Sequence, residues 1–150
     1  SGVIVEDIGS CLLKFARCCT PVPGDLIVGF VTKGFGVSIH RCDCPNASPE
    51  IIARQPERWV RASWAENAPE EPFDTSLEVD CRDRDNLLLD LATIMSGMKI
   101  RISEINCRAV GDGKVIASLT IRVKDVAELN AVCARIRTVS GVEQVRRGKS

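Results

Sequence analysis

Aromatic residues are scarce in this sequence and histidine occurs once. No tyrosine is present among the 150 residues, and the four phenylalanines and two tryptophans all lie at or before Phe73. A sheet that reads RNA by stacking bases needs rings on its central strands. The half of the chain after Phe73 has none, which argues against that use. A single histidine, His40, leaves no set of imidazoles for a multi-histidine hydrolytic metal centre. Charge of one sign is also missing: 20 Lys and Arg balance 20 Asp and Glu. No global field therefore draws the chain to nucleic acid or to an anionic membrane.

Other absences narrow the class further. No apolar run approaches the length of a membrane span, and no charged and then apolar leader opens the chain. No Gly-rich loop ending in Lys-Ser/Thr occurs, so nucleotide hydrolysis has no phosphate cradle. The expectation is a cytoplasmic protein with no membrane contact. Ser1-Gly2 reads as a start made within a longer chain. With 45% hydrophobic and 27% charged residues, the chain has material for a core and fits one medium domain or two small ones.

Cysteine, by contrast, is abundant. Eight are present, and without a secretory signal they read as metal ligands and reduced thiols rather than as a disulfide framework. Cys18 and Cys19 are adjacent, and His40-Arg41-Cys42-Asp43-Cys44 follows after a hairpin-length spacer. Pro21, Pro23 and Gly24 mark one turn, and Gly34-Phe35-Gly36 a second. The runs Ile27–Thr32 and Val37–His40 read as strands joined by the second turn. Folding that hairpin carries His40 and Cys44 back to the cysteine pair, a soft N and S donor set suited to zinc. Cys19 is the firmer ligand of the pair, because neighbours in an extended chain point to opposite faces; at a turn both reach. Cys42 and Asp43 stay open as competing donors. The alternative is a group of buried or free thiols beside one surface histidine.

These residues carry a resemblance. Arg17-Cys18-Cys19-Thr20-Pro21-Val22-Pro23-Gly24-Asp25, Ile27–Thr32, Gly34–Arg41 and Asp43-Cys44-Pro45-Asn46 closely resemble the conserved-cysteine, or zinc-finger, module of long RelA/SpoT-type enzymes. Members of that family make and hydrolyse the alarmone (p)ppGpp. The resemblance implies zinc held by Cys18, Cys19, His40 and Cys44, and an ACT domain directly after the module. The His-Asp pair of the family's hydrolase domain is absent, and no catalytic constellation is found.

The rest of the chain fits that order. Glu6 to Ala16 reads as a short amphipathic helix. Ser48 and Pro49 start another, which ends before Pro56, and Arg58–Trp64 alternates as a strand. The acidic, proline-containing stretch 66–73 reads as a linker between a cysteine-rich domain, 1–65, and a second domain, 74–150. In the latter, Thr75, Leu77, Val79 and Cys81 alternate, and Asp85 caps a helix that ends near Gly97. Ile105, Cys107 and Ala109 alternate, Gly111-Asp112-Gly113 turns, and Val115 to Val123 alternates back. Asp125 and Glu128 form a capping box before a second helix, and Val142–Arg147 is a last strand. The fold class is α+β: a small cysteine-rich α/β domain followed by a ferredoxin-like βαββαβ domain, which is also the ACT arrangement. Cys81, Cys107 and Cys133 are expected as buried small hydrophobes.

By resemblance, the second domain binds a small effector, such as a branched-chain amino acid, at Arg84, Asp85, Asn86 and Leu87, with Asn106 opposite. A helix N-terminus there would receive a carboxylate. Asn86 stands where many ACT loops carry glycine. ACT domains also pair, so a homodimer through this domain is expected. The implied function is that of a non-catalytic regulatory region, passing ribosome and tRNA status to catalytic domains upstream, with Arg17, Lys33, Phe35 and Arg41 at the contact surface. Two other readings stand beside it: an amino-acid-sensing ACT module, and a thiol redox switch built on Cys18, Cys19, Cys42 and Cys44.

Overall fold

The structure, a computed structural model, describes residues 2–6, 8, 11–34, 36–66 and 72–148. The chain divides into two compact units, residues 1–71 and 72–150. Most of the stretch read as a linker lies outside the described residues.

In the first unit, strands β1 (Val3–Val5), β2 (Leu12–Phe15), β3 (Ile27–Val31), β4 (Gly36–Arg41) and β5 (Trp59–Trp64) form one sheet, ordered β1-β5-β3-β4-β2. All neighbours are antiparallel except β2 and β4, which run parallel. Helix α1 (Pro49–Arg54) starts as its sequence indicates, with Ser48 accepting a hydrogen bond from the Ile51 N–H and Pro49 in the first turn. Single 3-10 turns, Pro45–Ala47 and Pro56–Arg58, flank it.

The stretch expected as a helix from Glu6 to Ala16 holds no helix where it is described, and Leu12–Phe15 form strand β2 instead. Leu13 and Phe15 pair with Val37 and Ile39 on β4 and join the core around Ile27, Val37 and Ile39, while Leu12 faces outward. Gly9 and Ser10 weaken a helix of this length, and the open edge of β4 offers a full ladder of hydrogen bonds instead. Phe15 stacks on Trp64 with ring centroids 5.7 Å apart, and the Trp64 indole N–H donates to the Asp25 carbonyl at 3.0 Å. At the centre of the sheet Gly29 faces Ile39 on one side and Val60 on the other.

The second unit is β6 (Phe73–Arg82), α2 (Leu87–Gly97), β7 (Ile102–Gly111), β8 (Lys114–Val123), α3 (Val126–Ile136) and β9 (Val142–Arg147). The antiparallel order β7-β8-β6-β9 is the expected ferredoxin-like sheet. Leu77, Val79 and Cys81 of β6 and Val115 to Val123 of β8 put alternate side chains into the core. Leu87, Leu91 and Met95 of α2 and Leu129, Val132, Cys133 and Ile136 of α3 complete it. The β7–β8 turn has positive φ at Gly111, Asp112 and Gly113, the left-handed backbone that an Asp-Gly hairpin provides. Asp125 caps α3 by accepting from the Glu128 N–H at 2.8 Å, while the Glu128 carboxylate accepts from the N–H of Lys124, one residue before the cap, at 3.0 Å, a variant of the expected capping box.

Two local expectations need correction. Helix α2 is preceded by Asn86, not Asp85, as its cap residue, and no side-chain cap bond forms. Asn86 has φ 63° and ψ 16°, so it adopts the left-handed conformation for which glycine is usual and asparagine tolerated. Cys107 is exposed rather than buried. β7 is an edge strand paired only to β8, and its residues stay exposed from Ser103 to Gly111; alternation there does not mark a buried face.

Candidate metal centre

Cys18 and Cys19 follow β2 at a tight turn, where the Thr20 N–H donates to the Ala16 carbonyl at 2.9 Å and Thr20 takes φ 43°. The chain is coiled here, not extended, so both sulfurs of the adjacent pair reach one point. His40 lies on β4 next to Ile39, and alternation sends Ile39 into the sheet core and His40 to the opposite face. Cys44 follows in a knuckle closed by its own N–H donating to the Arg41 carbonyl at 3.0 Å, and by the Ala47 N–H donating to the Cys44 carbonyl at 2.9 Å.

The result is four donor atoms, from Cys18, Cys19, His40 and Cys44, all within 4.8 Å of one another. Cys18 Sγ is 3.5 Å from His40 Nδ1, 3.6 Å from Cys44 Sγ and 4.0 Å from Cys19 Sγ; Cys19 Sγ is 3.8 Å from the same nitrogen. A zinc tetrahedron with ordinary Zn–S and Zn–N bonds has edges of about 3.8 Å between sulfurs and about 3.6 Å between sulfur and nitrogen. These four separations lie close to such edges, and the cluster could bind a metal through Nδ1 of the imidazole.

Electrostatics favour a cation at this point. Burial pushes the Cys19 thiol far above its ordinary range, with Cys18 and Cys44 adding to the effect and the Arg41 N–H, 3.3 Å from the sulfur, working against it. Burial likewise raises the Cys44 thiol, against a hydrogen bond from the Asn46 backbone, and it lowers the His40 imidazole. Thiolates this close would repel one another, and a divalent cation would supply the opposing charge. Neutral His40 is the form that ligates. Around the cluster pack Ala16, Ala47, Val28 and Trp59, with the Trp59 ring centroid 5.8 Å from that of His40.

The other expected donors stand apart. Cys42 is exposed and outside the four-atom cluster. Asp43 accepts two hydrogen bonds from the Arg41 guanidinium, each 2.8 Å, and takes no place in the cluster. The Arg41 side chain is itself only 13% exposed, which limits its availability for an outside contact. Arg17 and Lys33 are exposed, and Phe35 lies outside the described residues.

In the second unit Arg84, Asp85, Asn86 and Leu87 line one groove, and the residue that joins them from β7 is Cys107. Asn106 lines a different groove, with Ser76, Glu78, Arg108, Ser118 and Thr120. Asn106 and the loop at the start of α2 thus lie on different grooves, because adjacent residues of a strand face opposite sides. Arg84 is fully engaged, donating to the Ser140 carbonyl at 2.7 Å, the Asp85 carbonyl at 2.8 Å and the Asp90 carboxylate at 2.8 Å. Its role in the fold is to tie the loop to α2 and to the turn before β9.

Comparison with known proteins agrees with both units. Residues 3–65 match the RelA/SpoT RIS domain family and residues 69–147 an ACT domain family. The chain is 38% identical over 146 residues to the bifunctional (p)ppGpp synthase/hydrolase RelA of Mycobacterium tuberculosis, covering 97% of this chain and 19% of that protein. It is 34% identical over 146 residues to the GTP pyrophosphokinase of Escherichia coli K12, with coverage of 97% and 19%. It therefore spans about a fifth of the length of these curated relatives. The crystal structure of the ACT domain from GTP pyrophosphokinase of Chlorobium tepidum aligns with a TM-score of 0.45 at 25% identity, over 51% of this chain and 97% of that one. With both family matches in the same order and relatives aligned along nearly its whole length, the chain belongs to the RelA/SpoT family, of which it carries a RIS domain followed by an ACT domain.

Proposed function

We propose that this chain is the non-catalytic regulatory region of a (p)ppGpp synthetase/hydrolase, in which the domain of residues 1–65 is held by one zinc ion, residues 66–73 link, and residues 74–150 form the ACT domain. The observation that carries the reading is the near-tetrahedral set of Cys18, Cys19, His40 and Cys44. Four protein ligands close the coordination sphere and leave no position for water or substrate, which is the pattern of a structural zinc rather than a catalytic one. Zinc there would fix the turn after β2, the strand β4 and the knuckle relative to one another, and so present a rigid face.

The partners of that face, by kinship, are the ribosome and its tRNA, met by the parent enzyme in the cytoplasm. With no net charge on the chain, such contact rests on local groups, Arg17 and Lys33 among them, rather than on a long-range field. Zinc per chain, measured after purification under reducing conditions beside the His40→Ala/Cys44→Ser double variant, tests the metal. About one zinc lost in the variant is expected; no zinc in the unaltered chain overturns the reading. Co-sedimentation of the parent enzyme with ribosomes, with and without the double substitution, tests the partner.

A second reading concerns the ACT domain alone. The groove at the start of α2, where a helix N-terminus favours an anion, suits an effector carrying a carboxylate, such as a branched-chain amino acid. The long exposed edge of β7, with Ile105 and Val110, and the exposed Leu88 and Leu89 of α2 favour pairing of two copies. Calorimetric titration with leucine, isoleucine and valine, and sedimentation of the chain, check the two parts; no heat and a monomer sink them.

A further inference from the structure

We propose that Cys18 and Cys44 form a redox modification site, which hydroperoxides oxidise to a disulfide at the cost of the metal. The metal-release half of this inference rests on the zinc reading above; the disulfide half does not. Three features single out the pair. Its sulfurs are 3.6 Å apart, closer than those of Cys18 and Cys19 at 4.0 Å. Cys18 is partly exposed, whereas Cys19 and Cys44 are each 3% exposed, so of the three cluster sulfurs an oxidant meets Cys18 first. A bridge between the neighbours Cys18 and Cys19 would close a small ring and store strain, while Cys18 and Cys44 come from separate turns that must shift only enough to bring the sulfurs to about 2.05 Å.

The chemistry balances with one hydroperoxide. The Cys18 sulfur attacks a peroxide oxygen; an S–O bond forms, the O–O bond breaks, and the leaving hydroxide takes a proton to become water. Cys18 is then a sulfenic acid, oxidised by two electrons. The buried Cys44 sulfur attacks it, the S–S bond forms, and the S–O bond breaks with departure of a second hydroxide, protonated to water. With hydrogen peroxide, two thiols and one oxidant give one disulfide and two waters. Two of four metal ligands are consumed, leaving Cys19 and His40, which cannot hold zinc as a closed site does. The oxidation replaces a four-point metal tie with one covalent bond between the turn after β2 and the knuckle after β4, and it frees Cys19 and His40 from that tie. Cys42, although the most accessible thiol of the region, is a bystander.

The test treats the whole reduced, zinc-loaded chain with one equivalent of hydrogen peroxide. Zinc release is followed with a chromogenic chelator, and disulfides are mapped by tandem mass spectrometry of the tryptic pair 18–33 and 42–54. The expected result is a Cys18–Cys44 bridge, one zinc released per bridge, reversal by a dithiol with zinc, and the same behaviour in Cys42→Ser. A bridge to Cys42, sulfinic acid at Cys18 without a bridge, or no oxidation at all overturns the proposal. If the chain purifies without zinc and still forms the bridge, the zinc reading falls and the disulfide half stands. If zinc is present and peroxide leaves both metal and thiols intact, the zinc reading stands and this inference falls.

Discussion

The indole of Trp59 lies against the imidazole of His40, with ring centroids 5.8 Å apart and planes inclined by 53°, so the tryptophan on β5 sits directly beside the Cys/His cluster. Its emission should respond to the charge and packing of that cluster. Removing zinc from the chain with a chelator is expected to change the tryptophan fluorescence, and returning one equivalent to restore it. Trp59→Phe should abolish most of the response while keeping zinc bound, because Trp64 lies in the other cluster, stacked on Phe15. A response unchanged in Trp59→Phe would mean that the metal acts elsewhere.

The same cluster separates essential from dispensable cysteines. Cys19→Ser places a hard, neutral hydroxyl where the proposed zinc would need a thiolate, and zinc content should drop from about one to well below half per chain. Cys42→Ser changes an exposed side chain outside the cluster and should leave both zinc content and melting temperature unaltered. Elemental analysis and a thermal melt of the two variants decide between these assignments. Zinc lost on changing Cys42 would put a different sulfur in the site.

Much of this was legible in the sequence, and the failures have physical causes. The hairpin spacing from Cys18 to Cys44 brought the four donors together on paper because β3 and β4 announce themselves by their apolar runs and glycine turn. The βαββαβ order was legible because β6 and β8 are central strands packed under two helices, where alternation and burial coincide. Alternation misled at Cys107, since an edge strand can alternate without being covered. It misled again from Glu6 to Ala16, where a few apolar residues suit a helix and a strand equally, and the open edge of β4 decided for the strand. Local chemistry alone could not tell Asp85 from Asn86 as the cap residue, because the left-handed backbone at Asn86 depends on how the loop meets α2.

Asn86 itself supports a stability prediction. With φ 63° and no side-chain cap bond, replacement by alanine adds the cost of a left-handed backbone, about 1–2 kcal/mol. Asn86→Gly relieves that strain but gives the unfolded chain more freedom, so its net effect should be within about 0.5 kcal/mol. Urea unfolding of the two variants distinguishes them; equal losses would show that the asparagine side chain, not the backbone, matters.

Gly29 is constrained by packing rather than by φ. A methyl group added there would lie 2.7 Å from Val37 Cγ1 and 3.0 Å from Val60 Cγ2, in a strand paired on both sides. Both neighbours are β-branched and stiff at χ1, so the sheet must shift. Gly29→Ala is expected to destabilise the first unit by about 1–3 kcal/mol, with part of the loss recovered by the added change Val37→Ala. Denaturant titration of the single and double variants checks this. No recovery in the double variant would place the clash elsewhere.

The last prediction concerns alkaline pH. Cys81 on β6 is 1% exposed, and burial first, with nearby Cys107 next, pushes its thiol up to about 11 from an ordinary 9.0. Being raised in the folded state, the thiol keeps its proton there after the unfolded chain has lost it. Its contribution is therefore fully present below pH 9 and is lost as pH rises towards 11, by an amount on the order of 2–3 kcal/mol. Cys81→Ala removes the titration, with a small packing loss at every pH. Stability of the unaltered chain should consequently fall more steeply between pH 9 and 11 than that of Cys81→Ala, and the two curves should cross. Parallel curves across this window would mean that the buried thiol opens to water before it ionises.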